Sequence, residues 1–298
     1  MTEDIQSFLT RMTQAKNEET TVKAVVSFDP VEKVGELMPF WPEDAASIPT
    51  ELTRSALFGL PARSRGKRQH LNKVTLASRA DVEIIYTGDE LCAKDETVWL
   101  ACLRLGRGLL LGQRIYLNKA VLMREIGLKN TGPNWKTFSA RLDRLSAAHF
   151  KVRFKRGDKT YSFTTGMLKW GTEEETGEMY VRLDPEGARL FDNLAYQPWE
   201  VRLSLDSDVA ARLLSYVSGH TQGKPHSVLL EDLRRWCGYP GRLRQFRATC
   251  LEALHTLETK DVLIKGSAKI TKGAKREIAC WVRESSKKAP SSLDMTLV

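Results

Sequence analysis

The apolar positions of two segments repeat one pattern, 108 residues apart. In NWKTFSARL the large apolar side chains are Trp135 and Phe138, and in RLRQFRATC they are Leu243 and Phe246. At about 100° per residue, each segment gathers its apolar side chains on one arc of a helix. The members of the two arcs are Trp135, Phe138, Leu142 and Leu145 in the first, and Leu243, Phe246, Cys250, Ala253 and Leu257 in the second. The pattern predicts two equivalent helices, over residues 134–148 and 242–258, each with one side in a core.

The opposite sides of these helices carry cations, and we therefore name them the first and the second basic helix. A helix enters the major groove of DNA when small residues allow close approach and donors reach base edges. Ala140 and Ala248 provide the small positions. The predicted DNA contacts are Asn134, Lys136, Thr137, Arg141 and Arg144 on the first basic helix, and Arg242, Arg244, Gln245 and Arg247 on the second. A solvated basic face is the alternative, but the matching second copy favours a nucleic-acid interface.

The same order of predicted elements surrounds both basic helices. Before the first, QRIYLN indicates a strand, KAVLMREIG a helix ending at Gly127, and TGPN a turn. Before the second, WEVRLSL indicates a strand, and DSDVAARLLSYVSGH and SVLLEDLRRWCG indicate helices, the latter ending at Gly238. The repeated order predicts an α+β fold with tandem winged-helix domains. Other small α+β domains also join helix pairs to hairpins, and they are the alternative.

A basic hairpin is predicted after each of the two helices. KVRFKRGDKTYSFTT turns around Gly157 and Asp158, and VLIKGSAKITKGAKREIACWV has a longer tip. Hairpins of this kind touch phosphates or a minor groove beside the helix. The predicted contacts are Lys155, Arg156 and Lys159 in the first hairpin, and Lys269, Lys272, Lys275 and Arg276 in the second.

The remaining segments extend the first of these domains. A short helix is predicted from about Thr50 to Phe58, strands within VTLASRADVEIIYTG, and an amphipathic helix with an aspartate cap in DETVWLACLRLGR. The predicted organisation is then a flexible arm, two domains and a loose tail. Their bounds are 1–40 for the arm, 41–200 for the first winged-helix domain with its N-terminal extension, 201–283 for the second winged-helix domain, and 284–298 for the tail.

Charge is concentrated in the same two regions. The 298 residues carry a net charge of +9, and the windows 132–160 and 241–283 each carry a net of +6. Such local excess favours a nucleic-acid partner. No run of about 18 apolar residues indicates a membrane span, and MTEDIQSFLTRMTQAKNEETT lacks the apolar centre of a signal peptide. We therefore expect a cytoplasmic protein that does not associate with a membrane.

No catalytic signature is present in the sequence. The phosphate-binding pattern GxxxxGK followed by Ser or Thr is missing. The five histidines are isolated along the chain, and the five cysteines form no CxxC pair, so they are expected to be reduced thiols. We expect no metal, no cofactor and no catalytic residues, and a protein that is not an enzyme. A nuclease or recombinase, whose active site is assembled from distant residues, is the rival class.

The motif WPEDAASIPTELTRSALFG, followed by VTLASRADVEIIYTGDEL and VWLACLRLGR, resembles the TrfA family of plasmid replication initiators. The similarity is strongest from about residue 40 to 154 and continues more weakly to about 282. The resemblance implies a non-enzymatic initiator in a bacterial host that binds repeated origin sites, called iterons, as a monomer. It also implies opening of adjacent AT-rich DNA, binding of single-stranded DNA, and recruitment of the host replicative helicase and host initiator. Dimers in this family are usually inactive or limit copy number. A transcriptional repressor with the same fold, bound to an operator, is the alternative.

The resemblance further implies a short motif for the host sliding clamp, which ends in Leu-Phe. The matching residues are Arg54, Ser55, Ala56, Leu57 and Phe58, with Arg54 where the family usually has Gln. Leu57 and Phe58 are the candidate clamp contacts. The alternative is that both are ordinary buried residues.

Overall fold

The computed structural model describes residues 26–27, 35–60, 68–273 and 276–285. Most of the predicted arm over 1–40 and of the predicted tail over 284–298 lies outside the described residues. Lys275, a predicted DNA contact, also lies outside them.

The described elements are helices interspersed with strands, most of which pair antiparallel. The first half comprises β1 (Val26–Ser27), β2 (Ala45–Pro49), α1 (Thr50–Thr53), β3 (Phe58–Gly59), β4 (His70–Thr75), β5 (Val82–Asp89), β6 (Leu91–Cys92), α2 (Ala93–Gly106), β7 (Arg114–Leu117), α3 (Lys119–Glu125), α4 (Gly132–Ala147), β8 (His149–Arg156) and β9 (Lys159–Gly166). The second half comprises β10 (Leu168–Thr172), β11 (Met179–Leu183), a 3-10 helix (Pro185–Asp192), β12 (Leu194–Pro198), α5 (Trp199–Leu203), α6 (Asp208–Ser218), β13 (Pro225–Leu229), α7 (Leu230–Trp236), α8 (Leu243–Thr259), β14 (Lys269–Lys272) and β15 (Glu277–Val282). The first basic helix is α4 and the second is α8.

The described strands form five sheets, of which two are the pairs β2-β12 and β3-β6 and three are larger. Two have four strands, in the orders β4-β5-β8-β9 and β1-β7-β11-β10, and the third has the order β13-β15-β14. In β8 every second side chain is buried, because HFKVRFKR alternates apolar and polar residues with the period of a strand. The predicted hairpins are confirmed: β8 pairs with β9, and β14 pairs with β15.

The buried apolar side chains form two clusters. The first extends from Met38 to Trp199 and contains α2, α4 and the two four-stranded sheets. The second contains Leu60 and the residues from Ala210 to Trp281, and it joins α6, α7 and α8 to the three-stranded sheet. Apart from Leu60, the second cluster is therefore built from residues that follow those of the first along the chain.

Buried arginines connect the two clusters. Arg202, which is fully buried, donates to Glu96 Oε2 on α2 at 2.9 Å and to Ser215 Oγ on α6 at 2.8 Å. Arg212 on α6 donates to the carbonyl oxygens of Thr53 and Ser55 at 2.7 and 2.5 Å. Moving the two clusters apart would break the buried ion pair of Arg202 and Glu96. Each charge would then lack a counter-ion, which is strongly unfavourable.

Several predicted elements are confirmed with changed bounds. The two helix ends at Gly127 and Gly238 are present, and both glycines have the positive φ, 72° and 60°, that such ends favour. The predicted TGPN turn is wrong in part, because Gly132 and Pro133 belong to the first turn of α4. Proline is tolerated there, since the amides of a first helical turn have no partner within the helix. SVLLEDLRRWCG begins as β13 and becomes helical only at Leu230.

Four predictions in the remaining segments are wrong. WEVRLSL is not a strand: it forms α5, with the buried side chains of Trp199 and Arg202 three residues apart on one side, and the strand β12 precedes it. The helix predicted from about Thr50 to Phe58 ends at Thr53. The helix α2 is not amphipathic, because its Asp95 and Glu96 are also buried, each with an arginine partner. The helix begins at Ala93 with Cys92 as its N-cap, so the predicted start at an aspartate cap is also wrong. Asp95 lies at the third helical position, where its carboxylate accepts from the Cys92 amide at 3.0 Å.

Candidate nucleic-acid interface

The buried side of the first basic helix carries the predicted anchors. Phe138, Leu142 and Leu145 are fully buried in the first cluster. Trp135 is half-buried, and its ring centroid lies 5.7 Å from that of Phe138. The Nζ of Lys119 lies 4.2 Å from the centroid of the Trp135 ring. The helix is therefore fixed to the sheet β4-β5-β8-β9 and to α2 along the predicted arc.

The second basic helix is held in the same manner. Phe246, Cys250, Ala253 and Leu257 are buried in the second cluster, and Leu243 packs half-buried against it. Leu254 is buried as well, which the predicted arc omitted. The equivalence of Phe138 and Phe246 as core residues is thus confirmed.

The N-terminal part of the first basic helix presents polar side chains to solvent. Lys136 and Thr137 are exposed, and the Thr137 hydroxyl donates to the Pro133 carbonyl at 3.2 Å. Asn134 is half-buried and donates to the Lys129 carbonyl at 3.0 Å. Arg141 is half-buried and forms no ion pair within the described part of the chain. Asn134, Lys136 and Thr137 thus lie in the first two turns of α4, and Arg141 lies one turn further along.

Arg144 differs from its predicted outward position. Its guanidinium donates to Asp95 Oδ1 at 2.7 Å, and Asp95 is fully buried. Arg68 pairs with the other carboxylate oxygen of Asp95 at 3.0 Å. A buried carboxylate without cationic partners is strongly unfavourable, so the Arg144 charge stabilises the fold instead of facing outward.

Arg156 at the end of β8 is also engaged within the chain. It donates to Glu51 Oε1 at 2.8 Å and to Asp192 Oδ2 at 3.1 Å, and it lies 5.1 Å from the centroid of the Phe154 ring. The other two predicted contacts of this hairpin, Lys155 and Lys159, are exposed. Of the three predicted contacts in this hairpin, two are therefore exposed without an ion pair among the described residues.

The second basic helix exposes two arginines at its start. Arg242 and Arg244 are exposed and form no ion pair within the described residues. Gln245 Oε1 accepts from the Arg242 amide at 3.3 Å and so contributes to the helix cap. Arg247 pairs with Glu277 Oε1 on β15 at 2.9 Å.

A groove separates the second basic helix from its hairpin. It has a volume of about 750 Å³ and lies between α7, the start of α8 and the β14–β15 turn. Its lining includes Lys272 and Arg276, both exposed, together with Arg235 and the acidic Glu231 and Asp232. The remaining described hairpin contact, Lys269, is exposed on β14. The groove is thus lined by cations of the hairpin and of α7, whereas the start of α8 contributes Leu243 to it.

The candidate clamp contacts are buried. Leu57 is 2% exposed and Phe58 1% exposed, and the Phe58 ring lies 5.6 Å from that of Trp99. Arg54 pairs with Asp81 at 3.1 Å. The prediction that Leu57 and Phe58 bind a partner is wrong for this conformation, because neither side chain offers surface to one.

Two histidines are close together, although they are isolated along the sequence. The ring centroids of His220 and His226 are 3.8 Å apart, and the His226 ring lies 4.9 Å from that of Trp281. Burial, with the positive charge of Arg54 and Arg79 nearby, lowers the pKa of His220 to about 3 and that of His226 to about 4. Among the described residues, no group of His, Cys, Asp or Glu is suited to a metal ion. No helix in the described ranges has the length and apolar character that a membrane span requires.

The comparisons with known proteins point to one family. The sequence model of the TrfA protein family matches residues 31–269. The plasmid replication initiator protein TrfA of Escherichia coli is 28% identical over 223 residues, which cover 73% of this chain and 58% of that protein. The chain therefore spans a little over half of the length of this curated relative.

One solved structure with a TM-score above 0.5 shows a similar fold. A crystal structure of domains 2 and 3 of RctB covers 80% of this chain and 99% of its own, with a TM-score of 0.52 and 13% identity. A second structure of RctB domains 2 and 3 covers 76% of this chain and 95% of its own, with a TM-score of 0.45 and 11% identity. The mixed helix and strand architecture is thus shared with domains 2 and 3 of RctB.

Proposed function

Since this chain belongs to the TrfA family, we propose that it is a plasmid replication initiator that binds repeated sites in an origin. Two winged-helix domains, over 41–200 and 201–283, bind the duplex through the first and the second basic helix and their hairpins. The chain performs no covalent chemistry and requires no cofactor.

The observation that carries this proposal is the pair of equivalent exposed cations on equivalent helices. Lys136 on α4 and Arg244 on α8 are both exposed, and each lies two residues before a fully buried phenylalanine, Phe138 or Phe246. A rigid anchor behind a free cation holds the donor in the geometry that base-edge recognition needs.

Each basic helix enters a major groove, and the two grooves are successive on one face of the duplex. Centres of half-sites on one face are about 34 Å apart. Lys136 and Arg141 from the first helix, and Arg242 and Arg244 from the second, donate to base edges or phosphates. Lys159, Lys269, Lys272 and Arg276 from the hairpins contact the backbone beside them.

Opening of the origin is mechanical in this proposal. Binding bends the duplex, and AT-rich DNA beside the repeats deforms at least cost. The initiator then holds single-stranded DNA and recruits the host helicase and host initiator, and a monomer–dimer equilibrium limits copy number. Binding of the sliding clamp through Leu57 and Phe58 is not part of the proposal, because both are buried.

The test uses the origin of the plasmid that encodes this chain. We expect the protein to protect repeated sites in a footprint at physiological salt, and to maintain an origin fragment in a bacterial host when supplied from a second plasmid. Equal affinity for origin and random duplex would contradict the proposal. Specific protection without maintenance would instead support the repressor, and cleavage of origin DNA with magnesium or manganese would support a nuclease or recombinase.

A further inference from the structure

The outer face of the sheet β4-β5-β8-β9 carries a row of cations. On β8, Phe150, Val152 and Phe154 are buried against α4 and α2, so the alternate residues point to the opposite side. These outward residues include Lys151, Arg153 and Lys155, all exposed. We name these three the sheet-face cations. Lys151 and Arg153 were not among the predicted contacts.

Hydroxyl groups accompany the sheet-face cations on the neighbouring strands. The register pairs Lys151 with Thr164, Arg153 with Ser162 and Lys155 with Thr160 on β9. On β5, Glu83, Ile85 and Thr87 face the same side, with Glu83 opposite Arg153 and Ile85 opposite Lys151. The face therefore carries hydroxyl groups beside a net positive charge.

The sheet-face cations have no counter-ion within the described residues. None of them forms an ion pair there, whereas Arg144 and Arg156 in the same unit pair with Asp95, Glu51 and Asp192. Three like charges about 6.8 Å apart along one strand repel each other. A polyanion whose charges have the same spacing as these cations would relieve that repulsion.

We propose that this face binds the phosphate backbone of duplex DNA that flanks the site held by the basic helices. Alternate residues of a strand are about 6.8 Å apart, which is close to the separation of successive phosphates along one DNA strand. Lysine, arginine and hydroxyl side chains are the usual donors to phosphate oxygens. This inference rests on the proposed DNA-binding function.

The chemistry of the face favours duplex over single-stranded DNA. Proteins that hold single strands stack bases on exposed aromatic rings. The rings of β9, Tyr161 and Phe163, pair in register with Phe154 and Val152 and so belong to the buried side. The outward positions of β5, β8 and β9 named above supply cations and hydroxyls but no phenyl, phenol or indole ring.

The sheet-face cations bind a different stretch of the duplex from the one that lies along the basic helices. The first basic helix packs on the inner side of the same sheet, and the sheet-face cations point the other way. Flanking DNA reaches them only when the duplex bends around the domain. The contact would thereby stabilise the bent form on which opening depends.

The test is the salt dependence of binding for K151Q/R153Q. We use two duplexes, one covering a single origin repeat and one with 30 flanking base pairs on each side. On the long duplex, loss of two phosphate contacts should reduce the slope of log K against log salt by about 1.8. On the short duplex, the slope should equal that of the unchanged protein.

The matched control is K94Q/K224Q, which removes the same charge from exposed lysines outside this sheet. It should keep the unchanged slope on both duplexes. Thermal unfolding of both variants should match the unchanged protein, since all four side chains are exposed. Should K151Q/R153Q misfold, K151Q alone should reduce the slope by about 0.9.

Two outcomes would overturn the inference while leaving the proposed function intact. One is an unchanged slope on the long duplex with full discrimination between repeat and random sequence. The other is an unchanged slope with a loss of dimer in sedimentation, which would assign the face to a second copy of the chain. Failure of the unchanged protein to discriminate repeat from random DNA would instead contradict the proposed function.

Discussion

The two basic helices bury equivalent anchors but use their cations differently. On α4, Arg144 turns to the buried Asp95, and in the following hairpin Arg156 pairs with Glu51 and Asp192. On α8, Arg242 and Arg244 are exposed, and Arg247 alone among its predicted arginine contacts has a carboxylate partner. The position equivalent to Arg144 is Glu252, which is exposed.

The difference shows that local charge does not by itself identify a DNA contact. Both regions carry a net charge of +6, yet in the first region two arginines neutralise acidic side chains, one fully buried and one largely so. A buried carboxylate fixes its arginine at close range, whereas an exposed arginine is available to a phosphate or base. The second basic helix should therefore contribute more to specificity.

The largest expected effect concerns Asp95, which has no described equivalent beside α8. Asp95→Asn leaves Arg144 and Arg68 without their carboxylate, and we expect a loss of about 3 kcal/mol in the free energy of unfolding. Urea denaturation measures it. Glu252→Gln, at the position equivalent to Arg144, should change stability by no more than about 0.5 kcal/mol. Equal effects of the two substitutions would contradict the asymmetry.

Arg244 should dominate binding at its half of the site. Arg244→Ala should cost about 1–3 kcal/mol on a cognate repeat and relax base preference there. Arg247→Ala should have a smaller effect, because its guanidinium is shared with Glu277. Titrations of cognate and random duplexes separate the two effects. A larger loss for Arg247→Ala would reverse the assignment.

The histidine pair should make the second cluster sensitive to acid. Unfolded histidine has a pKa near 6.5, and the folded values are about 3 for His220 and about 4 for His226. The unfolded state therefore binds more protons below pH 6.5, so the stabilisation present above that pH is lost as the pH falls towards 4.

The corresponding measurement is the urea midpoint at pH 7 and pH 5. The midpoint should fall, and the fall should be smaller in H220N/H226N. His255→Asn, which changes an exposed histidine on α8, serves as the control and should keep the full pH dependence. An equal fall in H220N/H226N and the unchanged protein would contradict the assignment to this pair.

The smallest expected effect comes from the hairpin of the second unit. Lys272→Ala should weaken binding to all sequences alike and reduce the salt slope by about 0.9. Arg156→Ala should leave the slope unchanged, because Arg156 is already paired within the chain. A sequence-dependent loss for Lys272→Ala would show that the hairpin contacts bases.

The arcs of the two basic helices could be predicted because helical period is a local property. Phe138, Leu142, Phe246 and Cys250 follow it and are buried. The sheet-face cations were predictable in principle from the same reasoning, since HFKVRFKR alternates with the period of a strand. WEVRLSL was assigned wrongly because its alternation suits a strand, and the five residues of α5 are too few to show a helical period.

The partners of the arginines could not be predicted in this way. Asp95 lies 49 residues before Arg144, and Glu51 lies 105 residues before Arg156. Such pairs depend on how α2 and α1 pack against α4 and β8, which no local pattern encodes. The same holds for Leu57 and Phe58, whose burial depends on Trp99 of α2.

The most direct test of the two-helix account is a base-substitution profile of one origin repeat. Affinities are measured for duplexes that each change one base pair, with the unchanged protein, Lys136→Ala and Arg244→Ala. We predict that each variant loses discrimination over its own short block, and that the two blocks are centred about 10 base pairs apart. Loss over the same block in both variants, or over none, would contradict the claim that the two helices read separate halves of one site.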